Sequence, residues 1–206
     1  MKIEKFVIGY LSTNCYLLIN EETKEVVVVD PATCPDYLLS HVKSNGYIPK
    51  AILLTHGHFD HVMGIDGWLA EFDIPVYHHE KEAQMLAEPE LNLSTMLGRP
   101  YVFDRGICLK DGEILEVAGF KLQVIHTPGH TSGGCCYYEA DEAILISGDT
   151  LFYRSVGRTD FPTGDAETLA KSIKEKLFCL PEDVMVYPGH DSVTCIADEK
   201  RGNTFV

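Results

Sequence analysis

The chain has 206 residues and a formal net charge of −14, with 45% hydrophobic and 23% charged residues. That length supplies one substantial core and falls short of two full-sized domains, so one α/β domain over residues 1–206 is expected. The acid excess repels a polyanion over most of the surface and argues against nucleic acid as a partner, and apolar runs such as 26–29 and 143–146 are far too short to span a membrane.

Residues 2–9, 14–19 and 25–30 read as three short strands, with Glu21-Glu22-Thr23-Lys24 as the second turn. No signal-type apolar core or small-residue cleavage site occurs in residues 1–20, so a cytoplasmic location is expected. Residues 35–44 place Tyr37, Leu38, His41 and Val42 on one helical face, and Asn45-Gly46 ends that helix. The β-favouring run 51–54 completes a βαβ-like unit and delivers Thr55-His56-Gly57-His58-Phe59-Asp60-His61 at its end. Three imidazoles and a carboxylate within six positions form a ligand set that zinc or a similar divalent ion prefers. Continued extension puts His56 and His58 on one side. Asp60 reads as the N-cap of a helix over 62–72, from whose first turn Asp60 and His61 project back over the strand end, with room for a second ion.

Residues 74–78 read as a strand and 80–87 as a helix that stops before Pro89. Residues 91–104 carry Met96, Leu97, Pro100, Tyr101 and Phe103 with little periodicity, and read either as a packed connection or as a substrate-facing wall. Four strands follow at 113–117, 121–126, 135–139 and 143–147, then a helix over 165–178 with Leu169, Ile173, Leu177 and Phe178 on one face, and a last buried strand at 184–187. Elements thus come in two similar halves, each supplying an edge of one central site, which suits two mixed sheets flanked by helices. Seven cysteines with no C-x-x-C spacing favour reduced thiols; in Cys135-Cys136 one thiol is expected in the core and one exposed.

Thr127-Pro128-Gly129-His130 and Tyr187-Pro188-Gly189-His190 read as one device used twice: a strand ends in a Pro-Gly turn that aims an imidazole. Ser147-Gly148-Asp149 puts a carboxylate at another strand end. Singly, each of these residues reads as a loop or turn residue. Combined with the first motif, five His and two Asp at strand ends read as a metal site. His41, His78, His79 and His126 lack that context and read as structural. Tyr10, Leu11, Phe152, Tyr153 and Phe161 read as pocket lining or as core.

The motifs T-H-G-H-F-D-H, T-P-G-H-T-S-G, S-G-D-T-L-F, G-R-T-D-F and Y-P-G-H make the chain, from about Asn14 onward, resemble the metallo-β-lactamase fold superfamily, and within it the glyoxalase II-like hydrolases with their short single-domain bacterial members. The resemblance implies an αββα four-layer sandwich. It implies that His56, His58 and His130 hold a first ion, Asp60, His61 and His190 a second, and that Asp149 bridges both; the ions are commonly two zinc, with iron or manganese as alternatives. A hydroxide shared by two ions would attack the carbonyl of a small-molecule thioester, with Asp60 orienting it and passing its proton on. Arg158 would contact the thiol-bearing part, unless it pairs structurally with Asp160 or Asp165. A carboxylate at Asp149, where many zinc β-lactamases have a thiolate, points to the glyoxalase-like branch. Full-length glyoxalase II enzymes continue into a helical region that binds glutathione, whereas this chain ends soon after His190, so no particular thiol carrier is implied. Rival readings are a persulfide dioxygenase with one iron on His56, His130 and Asp149, a lactonase or β-lactamase acting on a cyclic substrate, and a non-catalytic module stapled by metal, which seven ligands with open positions disfavour.

Overall fold

Strands that are apolar at every position belong where both faces of a sheet are covered. Two such runs occupy the middle of the first half of the computed structural model, which describes residues 1–206. That half contains β1 (Lys2–Ile8), β2 (Thr13–Ile19), β3 (Glu25–Val29), α1 (Asp36–Ser44), β4 (Ile48–Leu53), α2 (Phe59–Val62), α3 (Ile65–Glu71), β5 (Val76–His79), a 3₁₀ turn Glu80–Glu82, α4 (Ala83–Ala87) and β6 (Ile107–Leu109). Its strands form one sheet in the order β1-β2-β3-β4-β5-β6, antiparallel as far as β3 and parallel from there on. The second half contains β7 (Ile114–Val117), β8 (Phe120–His126), β9 (Cys135–Glu139), β10 (Ile144–Gly148), β11 (Leu151–Phe152), β12 (Ser155–Val156), α5 (Ala166–Ser172), a π-helical continuation Ile173–Leu177, β13 (Met185–Pro188), β14 (Thr194–Cys195) and α6 (Ile196–Gly202). Its sheet runs β14-β13-β10-β9-β8-β7, with β10 and β13 parallel and the other pairs antiparallel.

Period-two alternation sorts the core into three layers. Leu17, Val26, Val28 and Ile52 face Leu38, Val42, Ile65 and Trp68 on the helices of the first half. Tyr16, Leu18, Val27 and Leu53 face the other way, against Leu122, Val124, Tyr137 and Ile146 of the second sheet. On the far side of that sheet, Cys136, Tyr138, Leu145 and Val186 pack on Leu169, Ile173, Leu177 and Ile196. Helix, sheet, sheet, helix is therefore the layer order, two mixed sheets inside. Cys136 is buried like Cys135, contrary to expectation, because both faces of β9 are covered. No helix is long and apolar enough to cross a membrane.

Several boundaries differ from the sequence reading. The helix expected over 62–72 is broken into α2 and α3 around Gly64, where a side chain would strike the carbonyl of Pro31 at 2.6 Å. Asp60 is not an N-cap: His58 occupies that position, and Asp60 lies in the first turn of α2 with its carboxylate accepting from Thr13 Oγ1 at 2.9 Å. The helix over 80–87 opens as a 3₁₀ turn, and β4 begins three residues before the apolar run 51–54. β6, the β11–β12 hairpin, β14 and α6 are additional, and the reason lies in their composition. α6 buries only Ile196 and Glu199, so it carries no apolar stripe. Glu199 instead anchors it by accepting from Thr194 Oγ1 (2.6 Å), Asn203 Nδ2 (2.9 Å) and the Arg154 N–H (3.0 Å) beside the hairpin.

Candidate metal centre

The ends of β4, β10 and β13 and the β8–β9 loop open towards one point between the sheets. Thr55, first beyond Leu54, is fixed by Asp30: its N–H donates to Asp30 Oδ1 (2.8 Å) and its hydroxyl to Oδ2 (2.6 Å). Its carbonyl accepts from the Cys135 N–H at 2.9 Å, which ties the two halves together at the site. The β13 end is held by β2, where Asn14 Nδ2 (2.9 Å) and Tyr16 OH (2.7 Å) both donate to the carbonyl of Pro188.

The two Pro-Gly-His turns are not one backbone device. Gly129 has φ +132°, a conformation that suits glycine. Gly189 has no such φ; it is glycine because of close approach. A Cβ there would lie 2.1 Å from Asp149 Oδ1 and 2.8 Å from His61 Cε1.

All seven residues picked from the sequence come together. His56, His58 and His130 form one group, and Asp60, His61 and His190 a second, with the potential ligand atoms of each group within 4.8 Å of one another. Asp149 lies between them: Oδ1 is 3.5 Å from His61 Nε2, while Oδ2 is 3.6 Å from His130 Nε2 and 3.5 Å from His190 Nε2. Asp60 Oδ2 is 3.4 Å from both His61 Nε2 and His190 Nε2. Two imidazoles are aimed from behind. His61 Nδ1 donates to Asp30 Oδ2 (2.9 Å) and His130 Nδ1 to the carbonyl of Arg158 (2.7 Å), so each turns Nε2 inward.

Four buried polar atoms, the Nε2 atoms of His56, His58 and His61 and Oδ1 of Asp149, have no hydrogen-bond partner. Each such orphan costs on the order of 1–3 kcal/mol. Cations held at the two groups would satisfy all four, and the donor set of imidazole and carboxylate suits zinc, iron or manganese. The residues present therefore fit a metal. Asp30, His56 and His61 also cluster, but the Asp30 oxygens are taken up by Thr55 and His61, so it orients rather than offers a ligand.

Electrostatics separates the two groups. Burial depresses His56 well below the usual imidazole range and His58 to about 3, leaving neutral rings with a lone pair to give. At His61 burial also pulls downward, but Asp60, Asp149 and Asp30 outweigh it and the value is about 9. At His190 burial is outweighed by hydrogen bonds to Asp149 and Asp60, giving about 11. At Asp60 burial pushes up, but His61 and His190 bring it to about 2; at Asp149, His61 and the other imidazoles likewise win over burial and hold it far below the carboxylate range. Because the folded values of His61 and His190 lie above 6.5, their ion pairs stabilise the metal-free protein fully below that pH. This contribution is lost as pH rises through about 9 to 11. A cation must displace these protons. We expect zinc added to the metal-free protein at neutral pH in weak buffer to acidify the solution, and its apparent affinity to tighten as pH rises towards about 9. Uptake without proton release would mean that the ion binds elsewhere.

Asp30 escaped the sequence reading, although it ends an apolar strand just as Asp149 does. We expect Asp30→Asn to weaken the hold of the Asp60, His61 and His190 group on its ion about 10- to 100-fold, measured by competition with a chelator, because the amide no longer matches both Thr55 and His61. Unchanged affinity would assign Asp30 to folding alone.

Around the ligands lies a cavity of about 340 Å³ lined by Leu11, Leu93, Phe152, Arg158 and Phe161 as well as site residues. A second, of about 330 Å³, shares Phe59 and Asp60 with it and is lined by Tyr10, Met63, Leu97 and Arg99. The 91–104 segment therefore contributes to both cavities, as a wall would, and Tyr10 and Leu11 of one turn face one cavity each. Tyr153 lines neither, standing half exposed beside Arg154. Arg158 pairs with Asp160 through two hydrogen bonds (2.7 and 2.8 Å) while its guanidinium lies over the Phe161 ring at 3.7 Å. Asp165 is not its partner; it caps α5 by accepting from the Thr168 N–H.

The family model for the metallo-beta-lactamase superfamily matches residues 8–190. Over its whole length the chain is 39% identical to the "Probable metallo-hydrolase YqgX" of Bacillus subtilis (strain 168), covering 98% of it. It is 34% identical to "Hydroxyacylglutathione hydrolase GloC" of Haemophilus influenzae, again covering all of this chain and 98% of that one. Among solved structures, BLEG-1 B3 metallo-beta-lactamase superposes with a TM-score of 0.93 at 40% identity over 99% of each chain. TTHA1623 in a di-iron-bound form superposes with a TM-score of 0.88 at 36% identity, over 98% of this chain and 100% of that one.

Proposed function

The chain belongs to the metallo-beta-lactamase superfamily and is a metallo-hydrolase, and we propose that it cleaves a small-molecule thioester in a site holding two divalent ions, zinc foremost. The observation that carries the two-ion reading is Asp149, whose carboxylate lies between the two groups, Oδ2 being 3.6 Å from His130 Nε2 of one and 3.5 Å from His190 Nε2 of the other. In this reading His56, His58 and His130 hold one ion, Asp60, His61 and His190 the other, and Asp149 both. Such a pair of ions lowers the pKa of a shared water from its bulk value to about 7 and polarises the carbonyl to be attacked. A di-iron relative supports binuclear loading and keeps iron as the alternative metal.

The side chains around the ions have distinct tasks. Asp60 stays ionised, accepts from Thr13 and lies at the junction of the two cavities, where its carboxylate would accept a hydrogen bond from the attacking water, orient it and pass its proton on. Leu11, Leu93, Phe152 and Phe161 exclude bulk water from the reacting carbonyl. Arg158, braced by Asp160 and Phe161, presents the remaining donors of its guanidinium to the thiol-bearing arm. The other arm lies along the second cavity towards Arg99. The acidic surface keeps nucleic acid and anionic membranes out of the partner list, and the unpaired cysteines suit the cytoplasm.

A β-lactam or lactone substrate is the second reading, favoured by the likeness to BLEG-1. Both are tested by one panel: purified zinc-loaded protein with hydroxyacyl-glutathione and acyl-coenzyme A thioesters, a homoserine lactone and a chromogenic cephalosporin. Thiol release at a kcat/KM at least about 100-fold above the ring-opening rates is expected, a ratio equivalent to some 2.7 kcal/mol of preferential transition-state binding. Ring opening without thiol release would overturn the thioester assignment and leave the metallo-hydrolase intact.

A further inference from the structure

Outside the ligand set, one buried carboxylate touches both histidine-bearing loops. Glu82 ends the 3₁₀ turn after β5 and is 1% exposed. Its Oε1 accepts from the Gly57 N–H at 2.7 Å, and Gly57 lies between His56 and His58. Its Oε2 accepts from Thr131 Oγ1 at 3.1 Å, next to His130, and the Gly133 N–H of the same loop also donates to the carboxylate. No Lys or Arg pairs with it, so its charge is met by these dipoles alone. Burial pushes this carboxyl up to about 7 against the pull of the three donors. The approach is close enough to dictate sequence. A Cβ on Gly133 would lie 2.3 Å from the Glu82 nitrogen and 2.4 Å from Oε2, and one on Gly57 would lie 3.0 Å from Met85 Cγ. The glycine between the first two histidines and the first glycine of T-S-G-G thus both serve contact with the Glu82 segment.

We propose that Glu82 is a positioning residue for the first ion: its carboxylate fixes the separation of the His56–His58 pair from His130, and thereby the affinity of that triad for a divalent cation. The two loops come from different halves of the fold, and no covalent link or regular strand pairing sets their spacing at the level of the imidazoles. Beside the direct contact of His58 Nδ1 with His130 Nε2 at 3.0 Å, a carboxylate receiving donors from each side does so, and it acts on the loops through Gly57, Thr131 and Gly133 rather than through the rings. The inference rests on the reading that His56, His58 and His130 bind an ion. It assigns Glu82 no contact with substrate.

The test is zinc titration of Glu82→Gln and Glu82→Asp against a chromophoric chelator, with urea unfolding of each metal-free protein alongside. The step belonging to the triad is the one that His58→Ala abolishes and His190→Ala keeps. The Gln variant preserves volume but turns an N–H₂ towards a donor, and we expect that step to weaken about 10- to 100-fold while the other is unchanged. The Asp variant keeps the charge on a shorter arm and is expected to fall between wild type and Gln, which gives a readout should the Gln variant fail to fold. Wild-type affinity at the triad step in the Gln variant, or in the Asp variant if Gln does not fold, would overturn the proposal even if urea stability fell, since Glu82 would then serve folding alone. A wild-type titration with one step overturns the two-ion reading independently, and Glu82 is then judged on that single step.

Discussion

Asp149→Ala is expected to yield a folded protein that no longer retains two ions and turns over substrate on the order of 1000-fold more slowly. Asp149 presents its carboxylate to the inward-facing Nε2 atoms of both histidine groups, and its side chain is only 10% exposed, so no solvent ligand replaces it at the same place. On the two-ion reading, losing both oxygens removes a ligand from each ion, and it also removes part of the counter-charge, shared with Asp60, that raises His61 and His190 in the metal-free state. Lewis-acid stabilisation by a correctly held ion is worth several kcal/mol, which converts to about three powers of ten in rate. The hydrophobic layers do not include this residue, so circular dichroism and the unfolding transition should change little. A variant that kept both ions and near-normal turnover would show that Asp149 does not bridge.

Gly189→Ala should be nearly as damaging, although it adds only a methyl group. The new carbon would overlap Asp149 Oδ1 and press on His61 Cε1, one residue from each side of the ion pair. The turn cannot retreat. The Gly189 N–H donates to the Gly148 carbonyl at 2.9 Å, its carbonyl accepts from Asn14 at 2.7 Å, and Pro188 is clamped by Asn14 and Tyr16. Overpacking of this kind costs about 1–3 kcal/mol, so the protein remains folded while the site is displaced. Elemental analysis of the folded variant should find fewer ions than in wild type, with activity reduced in step. Normal metal content and activity would mean that the turn accommodates a Cβ, and that glycine there answers to something other than the crowding of Asp149 and His61.

The seven ligand candidates were legible because five sit just beyond an apolar, β-favouring run or in the loop between two of them, Asp60 and His61 follow in the short helix α2, and strand ends in a two-sheet sandwich converge. Local pattern sufficed for β2, β3 and β8–β10 for the same reason. It failed where a long-range partner decides the role. Asp60 looks like a helix cap until Thr13, from another strand, is found to donate to it. Asp30 reads as the last residue of a strand; only the parallel pairing of β3 with β4, Val29 opposite Leu53, brings its carboxylate beside Thr55 and His61. Glu82 sits in a run of good helix formers and resembles a solvated charge, yet the approach of Gly133 from the other half buries it. α6 was invisible because a buried glutamate, not an apolar stripe, holds it down. The Arg158 alternatives resolved in part, since a bidentate partner two residues away is a local feature, while the cavity beside it is not.

The count of metal ions per chain tests the binuclear hydrolase most directly. Protein expressed without metal supplementation and purified without chelators is analysed for zinc, iron and manganese. Two ions per chain, zinc or mixed, is the predicted result. One iron per chain, with His190→Ala leaving the metal content unchanged, would contradict it and point to oxygen chemistry on His56, His130 and Asp149 in place of hydrolysis.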